Sequence, residues 1–336
     1  MIRRVVTLRT MPPWFASKEV GHWTNDRSLS DSDRETILTW AREGYPEGDP
    51  AERPQPRSWP TSDWAIGKPD AIYQIPDAQR IPAEGVVPYK YAEIETRLEK
   101  DRWVQAIEIL PTAPEVVHHV LVFLRESPDS SRKRRRQPQG EVEGYFAGMV
   151  PGQTHITYPE GVAKLLPKGS ILRFQIHYSV CGRKMLDQTR LGIRFASSPP
   201  RHKVQTYGIA NRKFSIPPGA SNHKVTAEVL LPRDIRIHAF TPHTHIRGKA
   251  FRYDVVFPNG KVTPLLSIPH YDFNWQLAYQ PRSPIELARG WKVRATAWYD
   301  NSPENPANPN PEETVRWGPQ SWHEMMIGYV DYSIKR

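Results

Sequence analysis

The sequence has a single cysteine, Cys181, so no disulfide can form within the chain. This leaves the cellular compartment open, because exported proteins can also lack disulfides. No apolar stretch is long enough to span a membrane, and Met1 to Leu8 lacks the apolar core of a signal peptide. Patterns of helical period are scarce, and 34 prolines interrupt the chain. These absences favour β-structure with many loops.

The charge is strongly basic, with a net charge of +10 and a pI of about 9.6. A basic balance can indicate binding to nucleic acid or to an anionic surface. The one dense basic run, Arg132 to Arg136, lies between two serines and a Gln-Pro-Gln-Gly turn, which is typical of a solvated loop. No zinc finger, basic helix or RNA-binding signature accompanies it, so no nucleic-acid partner is expected.

Residues 1–50 differ from the rest of the chain. Ser30 is a good N-cap for a helix whose apolar face includes Ile37 and Trp40, and Gly44 and Pro46 would end that helix. The Met-Pro-Pro-Trp segment that begins at Met11, followed by a helix, resembles the last part of a class I cytochrome c. The haem-attachment motif C-x-x-C-H is absent, so no haem is expected in this chain. An ordinary helical extension explains residues 1–50 equally well.

Residues 51–64 have the Pro-, Glu- and Arg-rich composition of a linker, and strand and turn patterns alternate after them. We expect an all-β fold of two tandem antiparallel β-sandwich domains of jelly-roll-like type, preceded by a short helical segment. The domains are expected at residues 65–203 and 204–336. The strands predicted for the two domains are 104–110, 116–124, 171–178 and 191–195, and then 225–231, 235–240, 251–257, 291–299 and 326–332.

Five of the twelve histidines stand in patterns that suggest metal binding. His243 and His245 share one face of an extended segment and can bind the same metal. His118 and His119 are adjacent, so they would point to opposite faces of a regular strand and could share a metal only at a bulge or a strand end. His177 alternates with Arg173 and Gln175 on the face of its strand that points away from the core. Taken singly, each of these histidines could equally be an ordinary strand residue.

Met325 and Met326 add thioethers near the C-terminal end, and one of the two is expected to pack in the core. A thioether ligand favours Cu(I) over zinc. Histidines with one methionine, and without thiolates or clustered carboxylates, therefore point to copper that cycles between oxidation states. Three other classes remain open: a non-catalytic copper-binding or electron-transfer protein, a zinc hydrolase with Glu324 as its base, and a carbohydrate-binding sandwich that uses the many aromatic residues.

In this order the motifs resemble those of the copper type II ascorbate-dependent monooxygenases, over roughly residues 65–336, and most closely those of bacterial members, some of which follow a cytochrome c domain. The resemblance implies two coppers per chain. It assigns the electron-transfer copper to His118, His119 and His177, with the last in a Gln-Ile-His-Tyr motif. It assigns the catalytic copper to His243, His245 and Met325, and it implies that Tyr329 contacts the substrate.

The resemblance also implies a reaction, in which a C–H bond is hydroxylated with O2 and two single electrons from ascorbate or a similar donor. The expected partners are a small-molecule substrate, O2 and a cytochrome electron donor, and the full-length protein is expected to be periplasmic or exported. Animal members are braced by several disulfides, which this chain cannot form. An arginine that binds the substrate carboxylate in the peptide-hydroxylating members is replaced here by Thr241, which argues against peptide C-termini as substrates.

Overall fold

A computed structural model of the chain describes residues 1–56, 63–125 and 144–335. The basic run Arg132 to Arg136 and part of the expected linker lie outside these residues. In the described part, the α-helices are α1 (Ile2–Thr7) and α2 (Asp31–Arg42), with short 3-10 helices at Pro50–Glu52 and Pro114–Val116. No helix in these ranges has the length and apolar character needed to cross a membrane.

The rest of the fold is built from β-strands, as expected from the sequence. In the first half they are β1 (Ala71–Gln74), β2 (Gln79–Ile81), β3 (Lys90–Glu95), β4 (Arg102–Leu110), β5 (Val117–Arg125), β6 (Tyr145–Met149), β7 (His155–Thr157), β8 (Val162–Leu166), β9 (Ile171–Tyr178), β10 (Met185–Asp187) and β11 (Arg190–Phe195). In the second half they are β12 (His202–Ala210), β13 (Ser215–Ile216), β14 (His223–Leu230), β15 (Ile235–His243), β16 (Gly248–Val256), β17 (Val262–Ile268), β18 (Ile285–Leu287), β19 (Lys292–Tyr299), β20 (Val315–Arg316) and β21 (Ile327–Ile334).

Each half is a sandwich of two packed sheets. In the first half, the sheet β3-β9-β5-β6 covers strands β1, β11, β4 and β8. Its core contains alternate residues of facing strands, such as Ile107 and Ile109 of β4 against Val120 of β5 and Phe174 of β9. In the second half, the sheet β14-β19-β16-β17 covers strands β12, β21, β15 and β18 in the same way. The all-β sandwich fold predicted from the sequence is therefore confirmed.

The two halves share one continuous sheet, in the order β1-β11-β4-β8-β12-β21-β15-β18. The connection between them is a parallel pairing in which His202 to Val204 of β12 lie opposite Val162 to Lys164 of β8. The other pairings along this sheet are antiparallel. The domain boundary expected near residue 203 falls inside β12 and stays a prediction.

The N-terminal segment lies against the second half. Helix α2 begins as expected, with the Ser30 side chain accepting a hydrogen bond from the N–H of Asp33. Farther upstream, Trp14 and Trp23 pack on Tyr279, with ring centroids 4.9 Å and 5.8 Å away. Helix α1 was not expected, because six residues rarely form a helix without tertiary support. Its contacts with α2 provide that support.

Candidate metal centres

A β-bulge brings the first three predicted ligands together. Strand β5 pairs with β9 so that Val117 lies opposite Tyr178 and His119 lies opposite His177, which leaves His118 as the extra residue. The bulge turns the His118 ring toward the other two imidazoles. One nitrogen from each ring then lies within 4.8 Å of the others. This is the geometry that the adjacent histidines required if they were to share a metal.

The nitrogens of this group fit a metal of the kind that imidazoles bind. Nδ1 of His118 and Nδ1 of His119 are 3.1 Å apart. Two nitrogens at this spacing can both bond one metal at about 2.0 Å, with an angle near 100° at the metal. Nδ1 of His177 is buried as well, and it has no hydrogen-bond partner among the described residues. Buried nitrogens without a protein partner are expected where a metal ion is the missing partner.

Burial keeps these imidazoles neutral, which is the form that binds metals. It lowers the pKa of His118, and it lowers the pKa of His119 well below its ordinary value. It lowers the pKa of His177 to about 3, with a smaller contribution from His118. The three rings are therefore uncharged at neutral pH.

The second predicted pair, His243 and His245, lies at the end of β15. Both residues are buried, and their ring centroids are 5.2 Å apart with nearly perpendicular planes. Nδ1 of His243 is 2.5 Å from the amide oxygen of Gln276, and Nδ1 of His245 is 3.3 Å from the carbonyl oxygen of His323. Because these oxygens only accept hydrogen bonds, each Nδ1 carries the hydrogen. Nε2 is therefore the nitrogen of each ring that can bind a metal.

Glu324 ties the His243–Arg247 segment to Met325. Its Oε2 accepts hydrogen bonds from the N–H of His245 at 2.7 Å and from the N–H of Met325 at 3.3 Å. Its Oε1 accepts from the N–H of Arg247 at 2.7 Å. Burial raises the pKa of Glu324 to about 8, against the opposing effect of these three donors and the Arg247 charge. Glu324 is thus occupied with the backbone, which argues against its use as a hydrolytic base.

Met325 is buried, and its N–H shares the Oε2 atom of Glu324 with the N–H of His245. It forms an apolar cluster with Ile327 and Tyr329, and Ile327 is the cross-strand partner of His243. Cross-strand partners place their side chains on the same face of a sheet. The structure therefore brings Met325 to the face and the end of the sheet that carry His243. Met326 packs instead in the core of the second sandwich, which matches the expectation that one methionine of the pair is structural.

Tyr329 lines a cavity that also contacts one histidine of each group. Its ring stacks on Tyr145 of the first half, with centroids 4.6 Å apart and planes inclined by 23°. Both tyrosines line a cavity of about 50 Å³ that also reaches His119 and His243. Thr241, the cross-strand partner of Tyr329, lines the same cavity. The predicted substrate-contacting residue therefore faces a small space that His119 and His243 also line.

Phe273 is a residue of this region that the sequence patterns did not reveal. Its ring stacks on His118 at a centroid distance of 4.7 Å and also lies 6.1 Å from the His245 ring. The neighbouring Asn274 accepts a hydrogen bond from Nε2 of His118 at 3.1 Å. Phe273, Asn274 and Gln276 belong to the loop between β17 and β18. No spacing marks them in the sequence, and the concentration of aromatic and amide side chains in one loop is the only available signal.

The comparisons with known proteins bear on the second half. Residues 207–335 match one family model, described as "Copper type II ascorbate-dependent monooxygenase, C-terminal domain". This region contains His243, His245, Met325 and Tyr329. The match shows that this part of the chain is similar to the C-terminal domain of the copper- and ascorbate-dependent monooxygenases, which are oxidoreductases. No curated protein matches the chain.

The solved structures that match the chain are only distantly similar to it in sequence and in fold. The major capsid protein P2 of bacteriophage PM2 is 8% identical, with 79% of this chain and 98% of that chain covered at a TM-score of 0.30. PNGF-II is 9% identical, with 78% of this chain and 65% of that chain covered at a TM-score of 0.29. At these TM-scores the similarities carry no argument about function.

Proposed function

We propose that this protein is a copper-dependent monooxygenase that hydroxylates a C–H bond. The overall reaction consumes the substrate, O2, two electrons and two protons, and it yields the hydroxylated product and water. Ascorbate or a similar donor supplies the electrons one at a time. The observation that supports the proposal is the cluster of His118, His119 and His177, together with the adjacent rings of His243 and His245 in the region that matches the family.

The two groups would have different tasks. His118, His119 and His177 would hold a copper that stores and passes one electron. His243, His245 and Met325 would hold the copper at which O2 and substrate meet, since the thioether favours Cu(I), the state that binds O2. Copper at these positions would supply one-electron redox chemistry and the activation of O2.

The chain's own residues would prepare this chemistry by fixing geometry. Gln276 and the His323 carbonyl hold the rings of His243 and His245 so that Nε2 is the ligand atom. Glu324 fixes the backbone of His245 and Met325 with one carboxylate oxygen. His119, His245 and Met325 are each only 1% exposed, which would exclude water from reactive species.

The substrate of this site would be a small molecule. It would have no carboxylate that requires an arginine partner, because Thr241 stands at the position of that arginine. Thr241, Tyr145 and Tyr329 line the cavity between the histidine groups, together with Lys164, whose ammonium group pairs with Asp331 at 3.3 Å. These side chains present aromatic faces and hydroxyls. The cytochrome donor and the exported location expected from the sequence remain predictions.

The assignment of Met325 can be tested with a matched pair of variants. Met325→Leu and Met326→Leu change equally buried methionines by nearly the same volume, so both should fold. We expect the wild-type protein to bind two coppers per chain and to show a Cu(I)–sulfur contribution in X-ray absorption. Met325→Leu should lose that sulfur signal and at least nine-tenths of turnover, whereas Met326→Leu should keep both.

The results also separate the proposed activity from the other classes. Turnover is measured as reductant-dependent O2 uptake with detection of a hydroxylated product, across amines, peptides and aromatics. A protein that binds two coppers and yields no product would be an electron-transfer or copper-storage protein. A sulfur signal that survives in Met325→Leu would show that Met325 is not a ligand.

A further inference from the structure

A lysine and a carboxylic acid line the same cavity as His119 and His243. They are Lys164 and Asp331, and the cavity of about 50 Å³ has room for a few water molecules. His155 of β7 also lines it and is exposed, so one end of the cavity lies beside the surface. Room for water, polar walls and an end near solvent are the features that a path for protons requires.

Lys164 is held at the wall of this cavity by two acceptors. Its Nζ donates hydrogen bonds to the carbonyl oxygen of Phe146 at 2.8 Å and to Oδ1 of Asp331 at 3.3 Å. It also lies 5.7 Å from the centroid of the Tyr145 ring, which lines the cavity too. An ammonium group has three hydrogens, and the described residues provide these two acceptors for them. The third hydrogen is therefore available to water in the cavity.

Asp331 has other donors besides Lys164. Its Oδ2 accepts a hydrogen bond from the Tyr158 hydroxyl at 2.7 Å, and its Oδ1 accepts one from the Thr206 hydroxyl. The carboxylate charge also raises the pKa of the nearby His238, against the larger effect of burial. The two hydroxyl donors remain when Lys164 is neutral. A brief loss of the Lys164 proton therefore leaves the carboxylate with hydrogen bonds to both of its oxygens.

The other titratable groups of the lining are less suited to release a proton. Burial raises the pKa of Tyr145 and of Tyr158, and the Asp331 charge raises both further, so these tyrosines keep their protons at neutral pH. The two buried imidazoles of the lining are proposed metal ligands. Burial lowers the pKa of the Lys164 ammonium group, against the opposing effect of Asp331. Lys164 is thus the group of this set whose proton becomes easier to release.

We propose that Lys164 supplies protons, through water in the cavity, to the oxygen atom that is reduced to water. This inference rests on the proposed function. In that reaction the O–O bond breaks, one oxygen atom enters the C–H bond of the substrate, and the other leaves as water with two protons and the two electrons of the donor. The ammonium group gives one N–H proton to a cavity water, which passes a proton to the leaving oxygen. Lys164 then regains a proton from solvent at the His155 end, and the step repeats.

The first experiment uses the wild-type protein without metal. Its lysine Cε carbons are labelled with carbon-13, and their NMR signals are followed from neutral to alkaline pH. The Lys164 signal is identified by its absence from Lys164→Arg. We expect it to titrate at a lower pH than the lysine signals of the same protein unfolded in urea, because burial disfavours the ammonium form. A Lys164 signal that titrates together with the signals of the unfolded chain would overturn the inference.

The second experiment compares copper-loaded Lys164→Arg with the wild-type protein. Arginine keeps a cation opposite Asp331 but does not release a proton near neutral pH. We expect both coppers to bind with unchanged EPR signals, kcat to fall at least tenfold and KM for the substrate to change less. Turnover of the variant should also slow more in D2O than turnover of the wild type. The exposed Lys203 of β12 provides the control, since Lys203→Arg should keep kcat. A wild-type kcat in Lys164→Arg would contradict the proposal.

The third experiment separates a proton donor from a cation that only stabilises the fold. Lys164→Ala is assayed with added ethylamine or 2,2-difluoroethylamine, compared at equal concentrations of their ammonium forms. Proton donation predicts faster turnover with the fluorinated amine, because its ammonium form is the stronger acid. Equal rescue by the two amines would show that Lys164 serves only as a buried charge. That result leaves the proposed function intact, which fails instead if the wild-type protein binds no copper or forms no product.

Discussion

At the scale of single side chains, hydrogen bonds decide which nitrogen of each imidazole faces the metal position. Asn274 takes the Nε2 hydrogen of His118, whereas Gln276 and the His323 carbonyl take the Nδ1 hydrogens of His243 and His245. Residue types and spacings predicted which histidines cluster. They could not predict these partners, because Asn274 and Gln276 lie in a loop that meets the histidines only in the folded chain.

His238 provides a test of how the burial of one imidazole changes the pH dependence of stability. It is the extra residue of a bulge in β15, and its Nε2 lies 2.9 Å from the Ser333 hydroxyl. Burial lowers its pKa to about 4. Between pH 6.5 and pH 4 the unfolded chain therefore binds a proton that the folded protein does not bind. Stability must fall as the pH is lowered through this window.

We expect His238→Gln to reduce this loss of stability in the metal-free protein. The free energy of unfolding, measured by urea denaturation at pH 7 and pH 4.5, should fall less in the variant than in the wild type. The difference should not exceed about 3 kcal/mol, the value of the full pKa shift. The other buried histidines act in the same direction and are present in both proteins. Equal losses in the two proteins would show that His238 is protonated in the folded state.

At the scale of strands and sheets, alternation of apolar residues was enough to predict most of the fold. Strand β9 was predicted at its observed limits, and Leu172, Phe174 and Ile176 point inward as the pattern indicated. The sequence showed only that His118 and His119 would need a bulge in order to share a metal. It could not show that the bulge exists, because the sequence of one strand does not determine its register with the partner strand. No sequence pattern predicted the parallel pairing of β8 with β12. Only three residues on each strand form it, which is too few to leave a recognisable pattern.

The contact between the sheets of the second sandwich is unusually close at Gly328. A Cβ at this position of β21 would lie 2.8 Å from the Ala295 Cβ and 2.8 Å from the Tyr253 ring. Because those atoms belong to the opposite sheet, the two layers would have to separate. We expect Gly328→Ala to destabilise the protein by about 1–3 kcal/mol.

Thermal unfolding of Gly328→Ala and of Gly48→Ala checks this prediction. A Cβ at Gly48 would meet no atom within 4 Å, so that variant should unfold at the wild-type temperature. Similar unfolding temperatures for all three proteins would mean that the sheets tolerate a wider spacing.

At the scale of the whole molecule, a buried polar cluster joins the two halves beside the parallel pairing. Asp331 of β21 accepts hydrogen bonds from Lys164 of β8 at 3.3 Å, from the Tyr158 hydroxyl at 2.7 Å and from the Thr206 hydroxyl. Lys164 and Asp331 are 5% and 8% exposed, so each charge depends on its partner. Two tandem sandwiches could be predicted from the sequence, but not this ionic connection between them.

Removal of one of these charges should therefore lower the free energy of unfolding more than removal of both. We expect Lys164→Met to lower the free energy of unfolding by about 3–5 kcal/mol, because it leaves the Asp331 carboxylate buried without a cation. The double variant Lys164→Met with Asp331→Leu should be more stable than this single variant. Urea denaturation measures all of these values. A double variant whose loss equals the sum of the two single losses would show that the two charges do not interact.

The shared sheet also restricts how the space between the metal centres can change. Val162 to Lys164 and His202 to Val204 connect the halves through the backbone pairing of two strands. The His118–Asn274 hydrogen bond and the stacking of Tyr145 on Tyr329 join the halves a second time, beside the centres, so a wider space there requires that these contacts break while the backbone pairing holds.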